Sequence, residues 1–536
     1  MRDLARQLYL ASGTAEEGLA LLADELTKGP GAAVLPVPPD DEEMLSYLDA
    51  GRALVVSAGV AAVLPLSVGL WLYTAVEVWF APVALLTTGY LLVSYFGVGL
   101  WGRRFDAHAH AEALARASEA PSGPPSVDVF LPCCGEPADV LANAYEHVAA
   151  LRWGGPLAVH VLDDGARASA AVEAMARRHG FRYVRRGDPG RMKKAGNLRS
   201  AFARTHGEFI AILDADFCPR PDFLQQTVPL MVDDAGIAIV QSPQWFRVSP
   251  SMNWVERAAG SVQELFHRLV QQNRDRFDAA ICVGSCGVYR RAALAPMGGT
   301  AEKGASEDVW TGVLTTCDGW RVRYLPLILA TGLCPDSRRA YFKQNYRWCL
   351  GSIALTTSRE FWTSPLTATQ KMCYLTGAGY YASTALSLVA NAAPAISLVL
   401  LRPDMVRYYN SLWAVPSVLF PWVIMRIWAR HPYGVECLRI RYLQYSAHLF
   451  AIWDHCFGTA TAWVPTGAAG AGTQGRRDSQ FRRAMSFLLL TTVAQLLALY
   501  AGCAYRIAEG YAWYDFAPSV AIETLSAFLC AQSFFA

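Results

Sequence analysis

The sequence predicts an α/β domain inserted between the spans of an α-helical membrane domain, with about six transmembrane helices plus interfacial helices. Three observations carry that prediction. Of 536 residues, 53% are apolar and 17% charged, whereas soluble domains carry about 25% charged residues. Apolar runs close to the ~20 residues that a spanning helix needs gather toward the two ends of the chain. Between them, residues 126–335 alternate strand-like runs with segments of helical period, the pattern of a largely parallel sheet with helices on both faces.

The N-terminal stretch "MRDLARQLYLASGTAEEGLALLADEL" alternates charge with leucine and alanine. It lacks the apolar core and cleavage site of a signal peptide and reads as a short cytosolic amphipathic helix. Residues 53–73 form the first expected span and 80–101 the second, closing on Trp101 and then Arg103-Arg104. That is an aromatic anchor followed by positive charge. No comparable run recurs until about residue 377, where "GAGYYASTALSLVANAAPAISLVLL" gives a third span. Residues 411–428, 485–505 and 516–535 give the fourth, fifth and sixth. Arg430, Arg439, Arg441, Arg476, Arg477, Arg482 and Arg483 crowd the segment between spans four and five. The positive-inside rule therefore places the large middle domain in the cytosol, and six spans return the C-terminus to that side.

Composition excludes some function classes. A net charge of +2 is too small to imply a nucleic-acid partner. The 13 cysteines contain no CxxC pair, Cys133–Cys134 and Cys282–Cys286 being the closest. Neither a disulfide framework nor a structural zinc site is expected, and reduced thiols facing the cytosol fit better.

Within the middle domain, "SVDVFLPCC", "LAVHVLDD", "FRYVRR" and "FIAILDADF" read as four strands, separated by "ADVLANAYEHVAAL", "ASAAVEAMARRHG" and "AGNLRSAFART" as helices. In such sheets, ligands bind beyond the carboxyl ends of the strands. Two strands end there in paired acids, Asp163-Asp164 and Asp214/Asp216. Unpaired buried charge is expensive, so such pairs seldom serve stability. "DDG" alone is equally a turn-forming Asp-Gly, but two pairs at equivalent strand ends suit a hard cation shared with substrate phosphates. A third acidic element, Ser306-Glu307-Asp308, follows the glycine-rich "CVGSCGVYRR". It offers a general base or, on the structural alternative, a helix start with Ser306 as cap.

In chain order these pieces are "DDG", "DAD", "SED" and "QNYRW". That order resembles the processive, inverting family-two glycosyltransferases of the cellulose synthase and β-glucan synthase group, whose signature is D, DxD, (T/S)ED and QxxRW. "KKAGNL", "VQSPQWF", "CVGSCGVYRR" and "PDSRRAYFKQNYRW" resemble further elements of that group, and "WVPTG" at 463–467 sits where its gating loop would fall. The resemblance covers roughly residues 50–505. It departs at Ser306, where cellulose synthases usually have threonine. It departs again at the chain's end, where they continue into a PilZ domain, so control by cyclic di-GMP through such a domain is not expected.

The resemblance implies a GT-A-type glycosyltransferase domain that takes UDP-glucose, extends a β-glucan chain and passes it across the bilayer. Asp308 with Glu307 would be catalytic, and Asp214 and Asp216 would hold Mg2+ or Mn2+. Donor contacts would come from Asp163, Asp164, Lys194, Asn197, Asp214, Gln344 and Arg347. Trp348, Gln244, Trp245, Ser285 and Cys286 would meet the acceptor, and Trp463, Thr466 and Gly467 would belong to the gating loop. Taken alone, Arg347-Trp348 is equally a juxtamembrane anchor. The expected order is a cytosolic segment (1–50), two spans (51–101), the transferase domain (102–335), interfacial helices with QxxRW (336–376), two spans (377–428), an interfacial helix with the gating loop (429–483) and two spans (484–536). The inner membrane is the expected location, with accessory export proteins as partners. The motifs leave β-1,4, β-1,3 and mixed linkages open. Amino-sugar polymers of the hyaluronan or chitin type and a non-processive glycolipid glucosyltransferase stand as alternatives, whereas a transporter without catalysis would leave four motifs without purpose.

Overall fold

The computed structural model describes residues 35–119, 121, 123–165, 168–303, 306–459 and 471–534, the side chains of 471–478 excepted. The N-terminal amphipathic segment and the expected gating loop with Trp463, Thr466 and Gly467 lie outside them. Two apolar helices come first: α1 (Arg52–Val76) and α2 (Ala81–Leu92), the latter continuing through a π-helical turn to Gly99.

The α/β domain follows. Its strands are β1 (Val127–Cys133), β2 (Leu157–Asp163), β3 (Arg182–Arg185), β4 (Phe209–Ile212), β5 (Cys218–Pro219), β6 (Ile237–Gln241), β7 (Gly287–Arg290), β8 (Arg321–Tyr324) and β9 (Ala330–Thr331). Seven of them form one sheet in the order β3-β2-β1-β4-β7-β6-β8. The expected parallel pairing holds for β3-β2-β1-β4 and for β6-β8, while β7 runs antiparallel to β4 and β6. β1, β4 and β6 are apolar and almost wholly buried, as strands covered on both faces must be. Alternate side chains feed two cores. Val127, Val129, Leu131, Phe209 and Ala211 face one, whereas Phe130, Leu162, Ile210 and Ile212 face the other.

Helices α3 (Ala138–Ala149), α4 (Ala170–Arg178), α5 (Lys193–Phe202), α6 (Phe223–Asp233), α7 (Trp254–Glu264), α8 (Gln271–Asp275) and α9 (Glu307–Cys317) complete the domain. α3 shows the logic: Val140, Leu141, Ala144, Tyr145 and Val148 recur at helical spacing and are the buried ones. The chain passes from β1 outward to β2 and β3, then returns to place β4 on β1's other side. That reversal opens a crevice at the strand ends.

Beyond the domain come α10 (Arg338–Thr357), α11 (Ala368–Ala390), α12 (Ala393–Leu401), α13 (Val415–Trp428), α14 (Val435–Cys456), α15 (Ala471–Ala508) and α16 (Trp513–Gln532). Among the described residues five stretches are long and apolar enough to cross a membrane: Arg52–Val76, Val78–Gly99, Ala368–Leu401, Tyr408–Trp428 and Ser479–Ala508. They point to a multi-pass membrane protein. The third is two helices interrupted at Asn391-Ala392, with Pro394 opening the second, since proline cannot continue a helix without losing a hydrogen bond. The expected sixth span falls on α16, whose apolar side chains are diluted by Asp515, Glu523 and Gln532 and which is not among the five. Charged residues within a span are costly.

The middle domain is locked at the sheet's other end by buried Asp128. Its carboxylate accepts from His160 Nε2 at 3.0 Å, the Gly207 N–H at 2.6 Å and Arg291 Nη2 at 2.9 Å. Burial alone would raise this carboxyl; the bonds from His160 and Gly207 and the Arg291 charge overcome it and hold the group below the usual carboxylate range. Asp128→Asn should therefore cost about 3–5 kcal/mol, the usual effect of breaking a buried ion pair, read as a lower melting temperature at neutral pH. Because the folded value is depressed, that contribution is complete above the ordinary aspartate value of about 3.9 and lost as pH falls through the folded one. The gap between wild type and variant should narrow on acidification.

Candidate active site

β2 delivers Asp163 and Asp164 to the crevice, both buried. Asp163 accepts from the Gly165 N–H at 2.9 Å, the Ser169 N–H at 3.4 Å and the Tyr183 hydroxyl at 2.5 Å. Asp164 forms a two-pronged pair with Arg186 at 2.6 and 2.8 Å and accepts from the Gly190 N–H at 3.1 Å. Both carboxylates thus anchor β3 and the loop after it, and a ligand would meet that loop before meeting the acids.

The pair beyond β4 is more open. The Asp214 N–H donates to Ser285 Oγ at 2.9 Å, and the Asp214 carboxylate bonds Lys194 Nζ. Lys194 also donates to the Gly284 carbonyl at 2.8 Å. Burial works against the Lys194 charge, but Asp214, Glu307 and Asp308 raise its pKa above the ordinary value. Asp216 has no such cation in contact among the described residues, although Lys194 acts on it from further away. Burial and the neighbouring Asp214 charge push its carboxyl up to about 7.

The third acidic element starts α9. Ser306 adopts a left-handed φ of 58° and makes no side-chain cap, so the capping alternative is not realised. Glu307 is pushed up to about 7 by burial and by Asp308. Asp308 is raised by burial, while the Val309 N–H, Lys194 and Arg347 pull it back. Gly284, at φ 78°, lies against Asp308; a Cβ there would sit 2.8 Å from Asp308 Oδ2. Glycine is required on both counts.

Arg347 comes from α10, whose Phe342, Tyr346, Cys349 and Ile353 pack on Ala447 and Ala451 of α14. Tyr346 also donates to Asp454 at 2.7 Å. Gln344, Arg347 and Trp348 share another face, at spacing i, i+3 and i+4, where Arg347 acts electrostatically on Glu307 and Asp308. Gln344 Oε1 is buried without a hydrogen-bond partner among the described residues, and Trp348 is partly exposed.

Other expected residues support the site from behind. Asn197 donates to the Leu162 carbonyl at 2.8 Å, tying α5 to the end of β2. Ser285 and Cys286 are wholly enclosed, and Ser285 acts by holding the Asp214 backbone. Gln244 donates to the Val283 carbonyl at 3.2 Å. Trp245 packs with Tyr47 and Ile328 and stacks on His431, which leaves little of its ring for a sugar. Sequence reasoning missed Glu136, Tyr183 and Arg186. Glu136 accepts from the Cys134 N–H at 2.6 Å, and burial, with Asp214 and Asp163 nearby, raises its carboxyl. Its signal was present: it follows β1 as the other acids follow β2 and β4.

Among the described residues no group of three or more His, Cys, Asp or Glu side chains forms a ready-made metal cluster. Asp214 and Asp216 nonetheless offer hard oxygen donors whose mutual repulsion is visible in Asp216. They fit a cation completed by substrate oxygens and water.

Residues 128–298, from β1 to just past β7, match the sequence family Glycosyl transferase family 2. Over that stretch the chain is similar to family 2 glycosyltransferases. A cellulose synthase catalytic subunit of Xanthomonas axonopodis pv. citri (strain 306) is 32% identical over 256 residues, 47% of this chain and 35% of that protein. A catalytic subunit of Pseudomonas fluorescens (strain SBW25) is 34% identical over 255 residues, 47% and 34% of the two chains. The matched stretch thus spans about a third of the length of these relatives. Among solved structures, the mannosyltransferase PcManGT of Pyrobaculum calidifontis, in complex with GDP-Man and Mn2+, is similar at TM-score 0.49 and 17% identity, covering 71% of this chain and 99% of its own. S. aureus TarS is similar at TM-score 0.32 and 14% identity, covering 60% and 55%.

Within the matched stretch, Gly196 of "KKAGN" is the tightest glycine. A Cβ there would lie 2.3 Å from Arg186 Nη1 and from the Arg191 carbonyl. Gly196→Ala should displace Arg186 from Asp164 and cost about 1–3 kcal/mol, as overpacking does. A melting curve of the purified variant checks this; an unchanged midpoint would show that Arg186 yields freely.

Proposed function

We propose that the protein is a processive, inverting β-glucan synthase that draws glucose from UDP-glucose and passes the polymer across the membrane. The observation that carries this reading is the meeting of Lys194, Asp214, Asp308 and Arg347 at the strand ends, beneath a helix packed on the membrane-proximal α14. The similarity to cellulose synthase catalytic subunits supports a glucan product.

In this reading the Asp308 carboxylate takes the proton of the acceptor hydroxyl. The freed oxygen attacks the anomeric carbon from the face opposite the diphosphate, the bond to UDP breaks, and its electron pair leaves with the diphosphate. One displacement converts an α-linked donor into a β-linkage. Lys194 and Arg347 hold positive charge beside the reacting centre, and Arg347's planar guanidinium suits diphosphate oxygens. Asp214 and Asp216 would hold Mg2+ or Mn2+, which when bound supplies charge neutralisation to the leaving group. Trp348 offers an apolar platform for the terminal sugar. Asp163 and Asp164 fix the loop against which the nucleoside would lie. In the same reading the catalytic domain faces the cytosol and the protein sits in the inner membrane.

Purified protein incubated with single UDP-sugars and Mg2+, followed by linkage-specific hydrolases, tests the reading. Polymer should form from UDP-glucose, stop with EDTA and resume with Mg2+ or Mn2+. Polymer from an amino-sugar donor alone would replace the glucan assignment, and full activity in excess chelator would remove the metal.

Asp308→Asn should lower polymer formation by about 10²–10⁴-fold, the usual contribution of a positioned base, with UDP binding retained in calorimetry. The base acts as a carboxylate, and both Asp308 and Glu307 are raised, Glu307 to about 7. The acid limb of the rate profile should therefore lie above the ordinary aspartate value of about 3.9 and report the interacting pair rather than one residue.

A further inference from the structure

A continuous set of contacts that the proposed chemistry does not use joins the fourth candidate span to the catalytic acids. It starts at Glu264, the last residue of α7, which is 1% exposed. Its carboxylate accepts from the Arg430 N–H at 2.9 Å, the His431 N–H at 3.1 Å and Arg268 Nη1 at 2.8 Å. Arg268, itself buried, also donates to the carbonyls of Trp428 at 2.7 Å and Asp49 at 2.9 Å. A buried ion pair is costly unless further hydrogen bonds satisfy it. Here they come from the backbone that leaves α13 and from the backbone that approaches α1, so one pair fastens both.

His431 carries this fixed point onward. Its ring stacks on Trp245, with centroids 5.6 Å apart and planes 28° apart. Burial lowers its pKa more than Glu264 and Glu43 raise it, so the imidazole stacks as a neutral ring. The rest of Trp245 is taken up by Tyr47, Ile328 and the Arg247 guanidinium, whose carbon lies 5.4 Å from the ring centre. Enclosed in this way, Trp245 is a strut. Its neighbour Gln244 is partly exposed and donates to the Val283 carbonyl at 3.2 Å. Gln241, at the end of β6, accepts from the Val283 N–H at 3.0 Å and donates to the Ser285 carbonyl at 2.8 Å. These bonds set the turn 283–285, where the parts of the site meet. The Gly284 carbonyl takes Lys194, Gly284 lies against Asp308, and Ser285 Oγ holds the Asp214 N–H.

We propose that His431 is a positioning residue for the transfer reaction: by stacking on Trp245 it sets Gln244, and through Gln244 it holds the 283–285 turn against Asp308. The exit of α13 then fixes the geometry in which the acids meet the acceptor. A stack suits this role because an aromatic pair has a preferred offset and tilt, so a flat ring wedged between two elements passes on a shift of either. Arg347 acts on Asp308 from α10; His431 acts on the same carboxylate from the side of β6. The inference rests on the reading of Asp308 as the base.

The test measures turnover of UDP-glucose by the purified full chain in detergent with Mg2+, beside calorimetry with UDP. His431→Ala removes the ring, whereas His431→Phe keeps a ring face without the nitrogens. His431→Ala should lower kcat by about 10- to 100-fold, the scale on which a displaced group costs rate, with UDP affinity and the KM for UDP-glucose as in wild type. His431→Phe should recover most of that loss. Gln244→Ala should lower kcat as well, and the double variant should be no slower than the slower single one, because both substitutions cut one line of contacts. Wild-type turnover by His431→Ala would overturn the inference, and so would losses that multiply in the double variant. A fall in UDP affinity that keeps step with kcat and is not mended by His431→Phe would mark a merely structural role and overturn it too. Should His431→Ala not fold, His431→Leu takes its place under the same outcomes. If wild type turned over no UDP-glucose, the glucan reading would fall and the same comparison would be run with UDP-N-acetylglucosamine. Full turnover by Asp308→Asn beside the His431 pattern would remove Asp308 as the base and leave His431 as the residue that positions the turn.

Discussion

Lys194 places its ammonium between the Asp214 carboxylate and the Gly284 carbonyl, within electrostatic reach of Glu307 and Asp308. The crevice gathers acids from three separate strand and helix ends, and like charges this close raise one another's pKa values. At the effective dielectric of a partly buried site, a unit charge 4 Å away is worth about 4 kcal/mol. One cation reaching both "DAD" and "SED" is what lets these elements approach. Its position follows from α5, which Asn197 ties to the end of β2. Glycine at 284 then lets the chain lie against Asp308.

The same economy shapes the link to the membrane helices. α10 uses one face to pack on α14 and leaves Gln344, Arg347 and Trp348 on another. A helix that is both a packing element and a wall of the site couples them mechanically, because moving it off α14 would withdraw Arg347 from Asp308. Tyr346, bonded to Asp454, fixes the rotation of the helix about its own axis.

At the far end of the sheet the buried Asp128 carboxylate is paired with His160 and Arg291. At the crevice, burial and the Asp214 charge raise Asp216, and Gln344 Oε1 has no hydrogen-bond partner among the described residues.

Much of this was legible in the sequence because it is local. Apolar runs bounded by Gly and Asp set β1, β2 and β4, and strand ends place Asp163 and Asp214 on one rim whatever the rest of the chain does. The order of "DDG", "DAD", "SED" and "QNYRW" likewise survives without coordinates of any kind. What the tertiary structure alone decided depends on pairs far apart in the chain. It placed Lys194 between Asp214 and Gly284, paired Arg186 with Asp164, and turned β7 antiparallel. It also enclosed Trp245 and Ser285, which the resemblance had offered as acceptor contacts. Periodicity reports which face of an element is apolar, but not which distant partner that face will meet. Charges and hydrogen bonds act within a few ångströms, and only the fold brings residues 90 apart, such as Lys194 and Gly284, to that distance.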